Sequence, residues 1–141
     1  MRISNQFTLA VRILVYIDTF KEDYKVTSDF LARSTKVKPA TIRKILGQLK
    51  TAGLIAGGRR AGSGFIRYSL DEISLLDVYR AVECIPNGQM FHFRENKNTD
   101  YPVGKERQIV LDEILSEVQE NIEKELCSKT LADVVDIAKH I

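Results

Sequence analysis

The sequence predicts a mainly α-helical protein with one small β-hairpin, which places it in the α+β fold class. Three observations lead to this prediction. Several stretches repeat apolar residues at helical spacing, two short strand-like runs flank a glycine-rich segment, and a long amphipathic stretch lies near the carboxyl end. The 141 residues, 44% hydrophobic and 28% charged, suit one globular domain with an attachment.

Two helices are predicted before residue 36. The first runs from about Asn5 to Phe20 and is apolar almost all round, which predicts deep burial. It contains Arg12 and Asp18 and is too short to span a bilayer, so no membrane partner is expected. Thr27 then offers an N-cap oxygen to a short second helix.

A third helix is predicted between Pro39, which suits the first helical position, and Gly53, which suits a left-handed end. The spacing of its apolar residues defines a single buried face. That face consists of Ile42, Ile45, Leu46 and Leu49. The opposite face holds Ala40, Thr41, Lys44, Gln48 and Thr51, flanked by Arg43 and Lys50.

Two short strands are predicted next, over residues 54–56 and 65–68. Residues 57–64 between them contain four glycines together with Arg59 and Arg60. Glycine-rich segments between strands form turns, so this segment is expected to be a flexible, cationic hairpin tip.

Ser74 is expected to cap a fourth helix from Leu75 to about Cys84, and residues 87–102 predict a loop. A long helix from Gly104 to about Leu126 and a last short helix follow. The long helix carries an apolar stripe of Ile109, Leu111, Ile114, Leu115, Val118, Ile122 and Leu126. A small domain has little core for this stripe to pack against. The stripe is therefore expected to pack against the same helix of a second copy. The chain is therefore predicted to consist of an amino-terminal domain at 1–83, a loop at 84–102, and dimerisation helices at 103–141.

The net charge of +2 conceals a split along the chain. Residues 1–80 carry 14 basic and 7 acidic side chains, whereas residues 81–141 carry 7 basic and 12 acidic ones. Residues 30–70 contain nine basic side chains and no carboxylate. Such asymmetry indicates a nucleic acid or another anionic surface as the partner.

The order of these elements is typical of a winged helix-turn-helix, in which a short helix, a turn, a second helix and a hairpin follow one another. A helix fits the major groove of B-DNA, where lysine, arginine and glutamine hydrogen-bond to base edges. The side chains expected to contact DNA are Lys36, Lys38, Thr41, Arg43, Lys44, Gln48, Arg59, Arg60 and Arg67. The alternative is a merely solvated face, but elsewhere in the chain carboxylates are interspersed with the cations.

Several motifs resemble the IscR/NsrR/CymR family of bacterial winged-helix regulators, the Rrf type. They are Ile45-Leu46, Leu49, Ala52-Gly53-Leu54-Ile55, Arg59, Gly62-Ser63-Gly64-Phe65, Glu72-Ile73-Ser74-Leu75-Leu76-Asp77-Val78, Ala81-Val82-Glu83 and Pro102-Val103-Gly104. The resemblance implies a homodimeric repressor of palindromic promoter DNA. It also implies base-reading positions at Ala40, Arg43 and Lys44 and a minor-groove position at Arg59.

The cofactor expectation departs from the iron–sulfur members of that family, which carry three cysteines before the long helix. Residues 88–101 contain no cysteine, and a cluster needs about four ligands, so neither a cluster nor another metal site is expected. Cys84 and Cys127 are each interpreted as buried thiols. Met90, Phe91, Phe93 and Tyr101 are expected either to line an apolar effector pocket or to plug the dimer interface, and we favour the plug. Cys84 and His92 are the other candidate residues of such a pocket.

No nucleophile–base pair, phosphate loop or metal motif stands at usable spacing, so an enzyme is not expected. Two cysteines make no disulfide framework and no leader is recognised, which favours the cytoplasm. A winged-helix module that docks on a protein through Phe91, Phe93 and Tyr101, without sequence-specific DNA binding, is the competing hypothesis.

Overall fold

The computed structural model of the chain describes residues 5–57, 64–83, 90–91 and 102–139. It confirms the mainly helical α+β fold. The elements in chain order are α1 Asn5–Phe20, α2 Ser28–Thr35, α3 Pro39–Thr51, β1 Ile55–Gly57, β2 Gly64–Ile66, a 3₁₀ turn Leu70–Glu72, α4 Leu75–Val82, α5 Pro102–Ser128 and α6 Leu131–Lys139.

The helix ends follow from local hydrogen bonding by residues visible in the sequence. The Thr27 hydroxyl accepts a hydrogen bond from the Phe30 backbone N–H at 3.1 Å and so caps α2. Ser74 forms a capping box with Asp77 at the start of α4. Gly53, with φ 80°, follows the end of α3 in the left-handed conformation that glycine adopts without strain. All three predicted signals are confirmed.

One hydrophobic core joins the first four helices, β1 and the start of α6. From α1, Ile13 and Leu14 are fully buried, and from α3, Ile42 and Ile45 are fully buried. Leu131 at the start of α6 also has no exposed surface. The sequence places Leu131 in the dimerisation segment, whereas in the structure it is part of this core.

The hairpin is short, because β1 and β2 pair antiparallel over three residues each, with Ile55 opposite Ile66. Leu54 and Arg67, which the sequence predicts as strand residues, lie just outside the ladder. They are still joined by a hydrogen bond from the Arg67 N–H to the Leu54 carbonyl at 3.1 Å. Leu54 is buried in the core, so the base of the hairpin is fixed to the helical body.

The junction between α5 and α6 is fixed to the amino end of α4. The Leu75 N–H donates to the Lys129 carbonyl at 2.8 Å, and the Leu131 N–H donates to the Ile73 carbonyl at 3.0 Å. Thr130 and Asp133 exchange side-chain-to-backbone hydrogen bonds in the pattern of a capping box, which starts α6. The carboxyl end of the long helix α5 is therefore attached to the winged-helix body, which consists of α1 to α4 and the hairpin.

The apolar stripe of α5 divides between two environments. Leu115, Ile122 and Leu126 are half-buried, and α5 packs against α4. The exposed apolar side chains of this helix, called here the α5 apolar face, are Ile109, Val110, Leu111, Ile114 and Val118, with 39–54% of their surface accessible. Within the described residues, no helix has the length and apolar character needed to cross a membrane.

Candidate nucleic-acid interface

The turn between α2 and α3 is three residues long, from Lys36 to Lys38. Lys36 has φ 58° and ψ 37°, a left-handed conformation that side chains other than glycine rarely adopt. Its N–H and that of Val37 both donate to the carbonyl of Ala32, which closes α2. Because α2 and α3 are also joined through the core by Leu31 and Ile45, the turn sets α3 in a fixed position.

The third helix has a buried side and an exposed side, as the apolar spacing predicts. Ile42, Ile45 and Leu49 have no exposed surface. The exposed side chains, together with Gly47, form a surface called here the α3 outward face. It consists of Ala40, Arg43, Lys44, Gly47, Lys50 and Thr51. Ala40 and Thr51 are separated by eleven helical rises of about 1.5 Å, so this surface is about 16 Å long, which suits contact along a DNA groove.

The charge of this region is positive and uncompensated. Lys36, Lys38, Arg43, Lys44 and Arg67 are all exposed. The ion pairs found in the described part of the chain lie elsewhere, between Lys21 and Asp18 and between Arg80 and Glu123. These cations are therefore available to neutralise phosphates or to donate to base edges.

Two residues predicted to contact DNA lie at the edge of the α3 outward face. Thr41 and Gln48 are both half-buried. The Gln48 Nε2 donates to the Val82 carbonyl at 3.5 Å, and its Oε1 is covered and has no hydrogen-bond partner among the described residues. Because its amide is turned towards α4, Gln48 is not counted among the base-reading residues.

The hairpin is described at its base only. Arg67 is exposed there and follows β2 directly. Arg59 and Arg60, predicted to contact DNA from the hairpin tip, lie outside the described residues.

Sequence reasoning missed three members of the α3 outward face as site residues, namely Gly47, Lys50 and Thr51. Gly47 and Thr51 lie three and seven residues after Lys44 and therefore share its side of the helix. The sequence already places Thr51 on this face and Lys50 beside it, but neither is among the predicted DNA contacts. Gly47 was overlooked because glycine has no side chain to recognise DNA.

The candidate effector residues are partly described. Met90 and Phe91 are half-buried, and the Met90 N–H donates to the Gln119 Oε1 of α5 at 2.9 Å. Cys84, His92, Phe93 and Tyr101 lie outside the described residues, so the pocket and the interface plug both stay predictions.

The interpretation of Cys127 as a buried thiol is wrong, because its side chain is exposed. It follows directly after Leu126, which is half-buried, and successive residues on a helix point about 100° apart. Cys127 therefore does not lie on the half-buried side of α5.

Tyr79 marks where α1, α4 and α5 meet. It is buried, and its ring packs edge-on against Phe7 with the centroids 5.8 Å apart. Burial raises the pKa of Tyr79 above its usual 10.0, and the carboxylates of Glu83 and Glu123 raise it further. The hydroxyl is therefore neutral at physiological pH, and this junction carries no additional charge.

Taken together, the α2–turn–α3 unit, the hairpin and the uncompensated α3 outward face define a winged helix-turn-helix protein. The chain belongs to the Rrf2 family, described as iron-dependent transcriptional regulators, which matches residues 3–137. Regulation of transcription, rather than catalysis, is the activity of this family.

Individual relatives are similar over nearly the whole chain. YwnA of Bacillus subtilis (strain 168), a proposed HTH-type transcriptional regulator, is 34% identical over 134 residues, which cover 95% of this chain and 97% of YwnA. A crystal structure of a proposed DNA-binding protein is 32% identical with a TM-score of 0.73, covering 93% of this chain and 99% of that one. IscR of T. potens has the same fold, with 20% identity, a TM-score of 0.70, and coverage of 98% and 88%.

Iron in the family description raises the question of whether this chain can hold it. An iron site needs several cysteine, histidine or carboxylate side chains close together. No three such side chains come together within residues 5–57, 64–83, 90–91 and 102–139. The full sequence has two cysteines and two histidines, fewer thiolates than a cluster normally uses.

Proposed function

We propose that the chain is a homodimeric repressor that binds palindromic promoter operators through the α3 outward face. The observation that carries this proposal is the absence of any carboxylate from residues 30–70, together with exposed cations on α3 and at both of its ends. Lys44 and Arg43 would donate to base edges, with Ala40 and Thr41 beside them. Lys36, Lys38 and Arg67, with Arg59 and Arg60 on the hairpin tip, would contact the backbone.

The α5 apolar face supports the homodimer. Monomeric proteins rarely expose contiguous apolar surface of this kind, and a second copy offers the same face for an isologous contact. Because the α5–α6 junction is hydrogen-bonded to α4, pairing of α5 would fix the two copies of α3 relative to each other. Half-sites about 34–36 Å apart, one helical turn of DNA, are expected for such a dimer.

Selection of bound fragments from genomic DNA, followed by sequencing, tests the DNA-binding part of the proposal. We expect fragments that share a two-fold symmetric sequence in promoter regions. If no fragment is enriched at low salt, the proposed function is wrong. Transcription from a selected promoter in vitro should fall when the protein is added, and a rise would contradict the repressor role.

A salt titration of the selected complex separates DNA binding from the protein-docking alternative. Contacts to phosphates release counterions, so the logarithm of the binding constant should fall by about 0.9 per phosphate contact for each tenfold increase in salt. An apolar contact through Phe91, Phe93 and Tyr101 would respond little to salt, so a flat titration would favour the alternative.

We further propose that DNA binding by this chain does not depend on an iron–sulfur cluster. The number and placement of its cysteines support this proposal. After anaerobic treatment with iron and sulfide we expect no visible absorption band and no change in DNA affinity. A coloured product whose loss by chelation alters DNA binding would contradict it.

A further inference from the structure

A cleft of about 540 Å³ lies between α3 and α4, and one of its walls is the edge of the α3 outward face. Its lining consists of Lys44, Gly47, Gln48, Thr51, Ala52, Arg80 and Ala81. Lys44 is a proposed base-reading residue, whereas Gly47 has no assigned contact on the α3 outward face and Arg80 of α4 lies outside that face.

Gly47 is not required by the fold. It lies inside α3, with at least one full turn of helix on either side. A Cβ placed on it would meet nothing within 4 Å, and its φ is not positive, so alanine would fit. Glycine is the least favourable residue in a helix interior after proline. The gain from glycine is that another molecule can approach the helix backbone closely.

The charges around the cleft indicate an anionic occupant. Lys44 lies on one wall and Arg80 on the other, and both are exposed. The Arg80 guanidinium forms an ion pair with Glu123, at 3.9 Å from Nη2 to Oε1, and 61% of the arginine side chain is accessible. Such a long, exposed ion pair contributes little and leaves the guanidinium free to donate to a phosphate.

The dimensions of B-DNA indicate which anion the cleft would bind. A helix with its side chains is about 10–12 Å across, and the major groove is about 12 Å wide. When the α3 outward face lies in the groove, surfaces beside it stand opposite the sugar–phosphate backbone. The cleft runs from the edge of the α3 outward face to Arg80 and Ala81 on α4, so its α4 wall is such a surface.

We propose that this cleft receives a phosphodiester strand of the bound DNA, with Gly47 as its floor and Arg80 as the donor to a phosphate. This inference rests on the proposed function and extends the interface from α3 to α4. Gly47 is a positioning residue here, since it acts by leaving room rather than by recognising a base.

Fluorescence anisotropy with a DNA fragment selected by the natural protein tests the inference. Gly47→Ala should bind at least tenfold more weakly although its thermal midpoint is unchanged or higher, because the added methyl group separates the helix from the strand. Thr19→Ala is the matched control: it raises helix propensity at an exposed position of α1, and its DNA affinity should equal that of the natural protein.

Arg80→Gln should weaken binding about fivefold at low salt and reduce the salt slope by about 0.9, the value for one phosphate. Glu123→Gln removes the same ion pair from its other end and should leave affinity unchanged. The inference is overturned if Gly47→Ala or Arg80→Gln keeps natural affinity, or if Glu123→Gln loses as much as Arg80→Gln. In these cases the natural protein still binds DNA, whereas failure of the proposed function would abolish binding by every form.

Discussion

The α3 outward face and the α5 apolar face are both exposed, but their chemistry is opposite. The first carries cations and no carboxylate, and the second carries Ile109, Val110, Leu111, Ile114 and Val118. Exposed cations are well hydrated, so the α3 outward face is stable in water without a partner. Exposed apolar side chains are unfavourable in water, so the α5 apolar face gains free energy when it is covered. The difference agrees with the proposal that DNA is bound reversibly while a second copy covers the α5 apolar face permanently.

The largest effect is expected from a charge on the α5 apolar face. Ile114→Glu places a carboxylate where 53% of the isoleucine is accessible, so the monomer should fold normally while dimerisation fails. Operator affinity should fall more than 100-fold because one half-site contact is lost. Sedimentation equilibrium and anisotropy measure the two effects.

Glu117→Gln, at an exposed position three residues along the same helix, is the control and should leave both measurements unchanged. A dimer that persists in Ile114→Glu would show that the α5 apolar face has another role.

The next effect concerns the α3 outward face. Lys44→Ala should lower operator affinity about tenfold, in line with about 1–3 kcal/mol for a good base contact, without changing the dimer. Lys124→Ala removes an exposed lysine from the acidic α5 and should have no effect on affinity. Equal losses for the two variants would mean that only overall charge matters, and the comparison between the two faces would fail.

A smaller effect is expected at Lys36, where DNA binding and folding favour different residues. Lys36→Gly relieves a left-handed strain of about 1–2 kcal/mol and costs about 0.4–1 kcal/mol of glycine entropy. The free energy of unfolding should therefore rise by about 0.5–1 kcal/mol, measured by urea denaturation. DNA affinity should fall roughly threefold because one cation near phosphate is lost.

Lys36→Asn is the companion variant, since asparagine tolerates the left-handed region but is uncharged. It should reproduce the loss of affinity. If both variants bind as tightly as the natural protein, the turn between α2 and α3 does not contact DNA.

The smallest effect is expected at Gln48, which is half-buried between the buried side and the exposed side of α3. Gln48→Met removes the covered Oε1 acceptor, which has no hydrogen-bond partner among the described residues. It also removes the 3.5 Å hydrogen bond from Nε2 to the Val82 carbonyl, so the two effects on stability oppose each other. Stability should change by less than about 1 kcal/mol and DNA affinity by less than about twofold. A tenfold loss of affinity would return Gln48 to the base-reading residues.

Much of the fold was predictable because its signals are local. Thr27, Ser74, Pro39 and Gly53 act on backbone groups within a few residues, so their effect can be read from the sequence. Strand limits were less accurate, since Leu54 and Arg67 are bonded to each other yet lie outside the ladder of three-residue strands.

The site was predicted less completely than the fold. The basic residues of α3 were found because charge and helical period are both visible in the sequence. The orientation of Gln48 was not, since it depends on Val82, which is 34 residues away along the chain. Cys127 was misplaced because α5 has one half-buried side and one exposed apolar side, and the sequence shows only a single broad stripe.

The sequence by itself determined the helices, their caps, the basic segment and the scarcity of cysteine, because these depend on residue type and on short-range spacing. Only the tertiary structure decided how α5 divides between the winged-helix body and solvent, where Leu131 packs, and that Gly47 and Arg80 line the same cleft. Those features depend on which distant segments come together in the folded chain. Packing at that range is set by the whole core, and no local pattern encodes it.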